Sequence, residues 1–106
     1  MQIGMKTEVY KLGASLDSSN SNQEQEKILA IFDAGSCVIL DMTDCTYVSS
    51  AGLRVLLYSY KVAASKGQKI VLVGVCEEVR DVMSMTGFEK FFDLFDTVKE
   101  AQAATA

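Results

Sequence analysis

Histidine, proline and tryptophan are all absent from this 106-residue chain. Without histidine, neither a Ser-His-Asp triad nor a His-based metal site can be assembled; the commonest general base is gone, though Asp, Glu and Lys remain in principle. Basic residues are outnumbered, 10 Lys and Arg against 14 Asp and Glu, for a net charge of −4. Such a field repels phosphate backbones, and no Lys/Arg cluster offsets it, which argues against nucleic acid and against anionic membranes as direct ligands. No apolar run approaches the ~20 residues that span a bilayer, and the polar start from Met1 to Lys11 lacks the hydrophobic region of a signal peptide. A cytoplasmic location is therefore expected. Cysteine is sparse: Cys37, Cys45 and Cys76 are an odd number, spaced like no metal or redox motif. Two of them lie in or beside apolar runs, so buried reduced thiols are expected. There is no Gly-x-Gly-x-x-Gly or P-loop element either, and neither a metal nor a cofactor is expected.

What the chain does have is apolar content, 49% against 23% charged residues, enough for the core of one domain spanning residues 1–106. Residues Thr7 to Leu12 alternate polar and apolar, with Val9 out of step, and predict a half-buried strand. A second short strand fits Gly13 to Leu16. The polar cluster Ser18 to Asn22 reads as a loop that supplies a cap to a helix with Glu24 and Glu26 in its first turn. Ile28, Leu29 and Phe32 share one face of that helix, and Asp33-Ala34-Gly35 closes it. Cys37-Val38-Ile39-Leu40 and Ile70-Val71-Leu72-Val73 are short β-branched apolar runs, the pattern of central strands covered on both faces. Between them, Leu53, Leu56, Leu57, Tyr60 and Ala64 recur at helical spacing up to Lys66-Gly67. Strand, helix and strand in that order predict a right-handed parallel crossover. Glu77 and Glu78 open a further helix with Val79, Val82 and Met83 on one face, ended by Gly87. Phe88, Phe91 and Phe92 then cluster, a short strand fits around Leu94, and Val98 to Ala104 suits a terminal helix.

The informative stretch runs Asp41-Met42-Thr43-Asp44-Cys45-Thr46-Tyr47-Val48-Ser49-Ser50-Ala51-Gly52-Leu53-Arg54. A serine at a helix start faces backbone N–H groups without intrahelical partners and the positive end of the helix dipole, so a phosphate there is held as free phosphate is at helix N-termini. The commoner role of such a serine is a plain N-cap, and Ser49 or Ser50 can serve. Arg54 follows Ser50 by four residues, a spacing that brings its guanidinium toward the serine or a partner carboxylate, unless it is simply a solvated arginine. Asp17, Asp41 and Asp44 can be grouped as a carboxylate cluster, but loops collect aspartates for turn hydrogen bonds, and that reading is preferred. Met83, Met85 and the three phenylalanines suit a core; Met85 and Phe88 alone are kept as interface candidates.

This stretch resembles the central signature of STAS domains, in which a buried strand ends in an Asp-rich loop and a Ser-Gly element opens the next helix. Leu16-Asp17 stands where that family has a Gly-x-Leu-Asp turn, and the order of elements matches from about Val9 to Val98. Within STAS domains the segment is most similar to the anti-sigma factor antagonists, whose signature is Asp-Ser-Ser/Thr-Gly-Leu. Setting Gly52 and Leu53 on its Gly-Leu makes Ser50 the phosphoacceptor, with Ser49 as the neighbouring candidate. Ala51 then takes the second hydroxyl position, and Ser49 stands where many members have Asp.

The resemblance implies an α/β, STAS-like fold: a four-to-five-stranded mixed sheet with about four helices mainly on one face. It also implies a monomeric binding protein that is not itself an enzyme. Unphosphorylated, it would bind a GHKL-type anti-sigma factor serine kinase; phosphate on Ser50 would release it, and a PP2C-type phosphatase would restore it. Asp17, Ser49, Ser50, Ala51, Gly52, Arg54, Met85 and Phe88 are the expected partner-binding residues. The output is transcription or a process using the same partner switch. The alternative is a STAS subunit of a lipid-transport ABC complex that binds the transporter ATPase, in which the corresponding Ser or Thr supports an interface and no kinase is needed.

Overall fold

The computed structural model describes residues 6–105. Met1 to Met5 and Ala106 lie outside the described residues, so the polar start read over Met1 to Lys11 is described only from Lys6. In chain order, β1 (Thr7–Lys11) and β2 (Ser15–Leu16) lead into α1 (Ser21–Asp33), β3 (Cys37–Asp41), β4 (Tyr47–Val48) and α2 (Ser50–Ser65). Then follow β5 (Ile70–Val73), α3 (Glu77–Thr86), a 3-10 turn over Phe88–Phe91, β6 (Leu94–Phe95) and α4 (Val98–Thr105). Gly87 ends α3 at φ 79°, a left-handed conformation that glycine adopts without a Cβ clash.

Four strands form one sheet in the order β1-β3-β5-β6, which puts both apolar runs at its centre, and β2 pairs separately with β4. Every one of these pairings is parallel, where a mixed sheet was expected. The reason lies in the connections: α1, α2 and α3 each carry the chain back between neighbouring strands, whereas an antiparallel pair needs only a hairpin.

Successive side chains of a strand point to opposite faces. Val38 and Leu40 of β3 and Ile70 and Leu72 of β5 join Ile28 and Phe32 of α1, Leu53 and Leu56 of α2, and Val79 and Met83 of α3 in the main core. Ile39, Val71 and Val73 face the other way, onto Ala101 of α4, with Phe95 and Val98 beside them. Three of the four helices thus share one face, as expected.

Three local expectations are corrected. The buried stripe of α2 runs through Gly52, Leu53, Val55, Leu56, Ser59 and Ala63, while Leu57 and Tyr60 are half-buried and Ala64 is exposed. Ser59 is admitted to the core because its hydroxyl donates to the Val55 carbonyl at 2.7 Å, which satisfies the group inside its own helix. Val82 of α3, placed by its spacing on the buried face, is exposed. Asn20 holds the capping position of α1 but gives it no side-chain bond, since its amide accepts from the Asp17 N–H and donates to the Ser15 carbonyl. Of the three thiols, Cys37 and Cys45 are buried, and Cys76, before α3, is only half-buried.

Candidate functional site

The site begins where β1 and β3 end. Beyond β3, Asp41 accepts from the Thr43 N–H at 3.0 Å and from the Thr43 hydroxyl, closing a turn of the kind aspartate favours. Asp44 pairs with Lys11 at 3.2 Å on the surface. Two of the three aspartates are therefore occupied with turn and surface contacts. The chain then returns as β4 alongside β2, Leu16 opposite Val48, and the Ser49 N–H donates to the Leu16 carbonyl at 3.0 Å.

Gly52 explains why α2 can start at this spot. A Cβ there would stand 2.3 Å from the Leu16 carbonyl oxygen and 2.8 Å from a Val48 methyl, so only glycine lets the helix start press onto the β2–β4 pair. That contact fixes where Ser49, Ser50 and Asp17 lie relative to one another. Ser49 is the cap: its backbone is extended and its hydroxyl accepts from the Gly52 N–H at 3.3 Å. Its carbonyl accepts from the Leu53 N–H at 2.8 Å.

Ser50 is the first residue of α2 and is exposed. Among the described residues its hydroxyl has no hydrogen-bond partner, and neither do the N–H groups of Ser50 and Ala51. The residue thus presents an accessible nucleophilic oxygen in front of two open donors at the positive end of a helix of 16 residues.

Asp17 sits on the same rim, one residue past Leu16. Its carboxylate accepts from the Ser19 hydroxyl and N–H and from the Ser15 hydroxyl, and these bonds hold its pKa below the usual carboxylate value. It is an ionised group one residue past Leu16, whose carbonyl accepts from the Ser49 N–H. Arg54 lies one turn along α2 and is exposed, with no ion-pair partner among the described residues. Cys45, in the loop leading to β4, is buried, and burial pushes its thiol above the ordinary value. That favours the neutral, unreactive form.

Asp17, Ser49, Ser50, Ala51, Gly52 and Arg54 are brought together at one end of the molecule. Met85 and Phe88 are not. Phe88 packs edge-on against Phe91 at 6.4 Å, and Phe91 meets Tyr60 at 5.3 Å, so this group lies beside α2 about 15 Å below its first turn. Met85 is 87% exposed at the last turn of α3. The pairing of β2 with β4 went unread in the sequence because strands of two residues carry no periodicity. The hydrogen-bonded set Ser15, Asp17, Ser19 and Asn20 was signalled only by its turn-forming composition.

This arrangement, a serine opening a helix that packs through glycine on an edge pair beyond a parallel sheet, defines a class. Residues 5–101 match the STAS domain, and the chain belongs to that family. It is 33% identical over 90 residues to a Bordetella bronchiseptica protein named as an anti-sigma factor antagonist, BtrV, covering 84% of this chain and 78% of that one. In fold it is similar to a Thermotoga maritima structure described likewise, with TM-score 0.82, 22% identity, and 95% and 92% of the two chains covered. The Bacillus cell-fate determinant SpoIIAA in its phosphorylated form superposes with TM-score 0.75 at 20% identity, over 100% of this chain and 96% of that one.

Proposed function

We propose that this chain, as a single STAS domain over residues 1–106, is an anti-sigma factor antagonist controlled by phosphorylation of Ser50. The observation that carries the reading is the Ser50 hydroxyl, exposed and unpartnered, at the start of α2 with two open N–H donors behind it. Unphosphorylated, the rim formed by Asp17, Ser49, Ser50, Ala51, Gly52 and Arg54 docks on an anti-sigma factor serine kinase of the GHKL type. The kinase moves the γ-phosphoryl group of ATP to the Ser50 oxygen, leaving ADP and releasing the serine proton. The phosphate adds ~1.5–2 negative charges at the centre of the contact surface, where repulsion and desolvation end binding without a change of fold. A PP2C-type phosphatase hydrolyses the phosphoserine, returning inorganic phosphate and the original serine. The chain is a substrate in this cycle, works in the cytoplasm and acts as a monomer.

Intact-mass and peptide analysis after incubation with the kinase and ATP tests the reading. One phosphate on Ser50, lost in Ser50→Ala, is expected. Phosphate on Ser49 with Ser50 untouched overturns the site assignment. No phosphate at all, together with binding to a lipid-transporter ATPase, replaces the reading with that of a transport-complex subunit.

A further inference from the structure

We propose that the groove between α1 and α2 receives an acidic segment of the kinase, and that Arg54 is the residue through which phosphate on Ser50 closes it. This deepens the functional reading above and rests on it. Gln25 of α1 and Arg54, Leu57, Tyr58 and Lys61 of α2 line an open groove of about 310 Å³. It starts one helical turn below Ser50 and is continuous with the rim, so one partner covers both.

Its charge selects the occupant. The chain as a whole carries −4, yet both charged groups lining this groove are cations. The ion pairs among the described residues are Lys11 with Asp44, Lys66 with Asp33 and Arg80 with Glu89, so Arg54 and Lys61 are not neutralised within the fold. On α1, Glu24 is itself engaged, as its carboxylate accepts from the Tyr10 hydroxyl. Arg54 and Lys61 stand about 10 Å apart along the axis, with Leu57 half-buried and Tyr58 48% exposed between them. The matching partner is an amphipathic helix with two carboxylates two turns apart and an apolar side chain between them.

Arg54 also belongs to Ser50. Side chains four apart on a helix are neighbours, their Cβ atoms roughly 5–6 Å apart, and a guanidinium takes a phosphate in a forked pair. Once Ser50 carries phosphate, Arg54 turns to it and the groove loses one of its two cations. Release then follows from withdrawal of a recognition group as well as from repulsion.

The test uses the full chain with phosphoserine installed at position 50 during translation, so that no kinase is required. The probe is a synthetic amphipathic helix carrying two glutamates two turns apart with leucines between, titrated into isotope-labelled protein. Shifts at Gln25, Leu57, Tyr58 and Lys61 are expected. Affinity should fall about tenfold or more in the folded double variant Arg54→Glu, Lys61→Glu, and about tenfold in the phosphoserine form, where the Arg54 Nε–H resonance moves. Shifts elsewhere, an indifferent double variant, or an unmoved Arg54 resonance overturn the proposal. With the kinase itself, the double variant should raise KM about tenfold at similar kcat, and an unchanged KM also overturns it. A kinase that leaves Ser50 of the parent unmodified removes the functional reading instead, while the peptide and phosphoserine measurements still decide the groove.

Discussion

The two ends of α2 are built on opposite principles. At its start, the exposed Ser50 hydroxyl and the N–H groups of Ser50 and Ala51 have no hydrogen-bond partner among the described residues. Past its other end, Gln68 is buried and its amide donates to the carbonyls of Phe32 at 3.0 Å and Ser36 at 2.7 Å, tying α1 to the loop before β3. Near it Tyr60 packs on Phe91 and Phe92 at 5.3 and 5.7 Å. A cavity of about 240 Å³ lies there too, walled by Tyr60, Gln68 and Phe91, but the donors of Gln68 are used within the fold. In the function proposed above, the cavity does not mark the working end; unspent hydrogen-bonding capacity at the start of α2 does.

That contrast can be broken from either side. The largest effect should come from Ser50→Asp, which places a permanent carboxylate in the docking surface and should cost ~2–5 kcal/mol of kinase affinity, roughly 30-fold or more by calorimetry. The same substitution should leave the thermal midpoint unchanged or raise stability by ~0.3–1 kcal/mol, because a carboxylate suits a helix start. Gly52→Ala should destabilise by about 1–3 kcal/mol or more in chemical denaturation, since its methyl must push the Leu16 carbonyl and Val48 apart. Kinase binding should weaken with it. At the closed end, Gln68→Leu should cost about 1–3 kcal/mol by taking the side-chain donor from the Ser36 carbonyl and one of two donors from the Phe32 carbonyl, which keeps the Gly35 N–H, with kinase affinity of the folded protein unaffected. Ser49→Ala should have the smallest effect, about 0.5–2 kcal/mol of stability from the lost cap, with phosphate still accepted at Ser50. A Gln68 variant that loses kinase binding, or a Ser49 variant that cannot be phosphorylated, would erase the distinction between the ends.

Much of this was legible in the sequence. Cys37–Leu40 and Ile70–Val73 announced central strands because burial on both faces leaves no polar position, and Gly87 announced the end of α3. The start of α2 at Ser50 was legible through the Ser-Ala-Gly-Leu run. The role of Gly52 was not, because it depends on a carbonyl that is 36 residues away in the chain. Likewise, the buried stripe of α2 was misjudged at Ser59, since a hydroxyl that bonds its own helix behaves as a small apolar group. The parallel sense of the β1–β3 pair was hidden because the short strand read over Gly13 to Leu16 interrupts the strand-helix-strand order, and that strand pairs with β4 instead.

The lone helix on the far face has a kinetic consequence. At eight residues α4 is too short to persist alone in water, and its one fully buried residue is the small Ala101. It is the element most easily lifted from the fold by a thermal fluctuation, and each such event uncovers Ile39, Val71 and Val73 on the two central strands. Amide hydrogens of α4 should therefore exchange with solvent well before those of β3 and β5. The apolar strip uncovered behind them is where two copies of the chain would first adhere on heating.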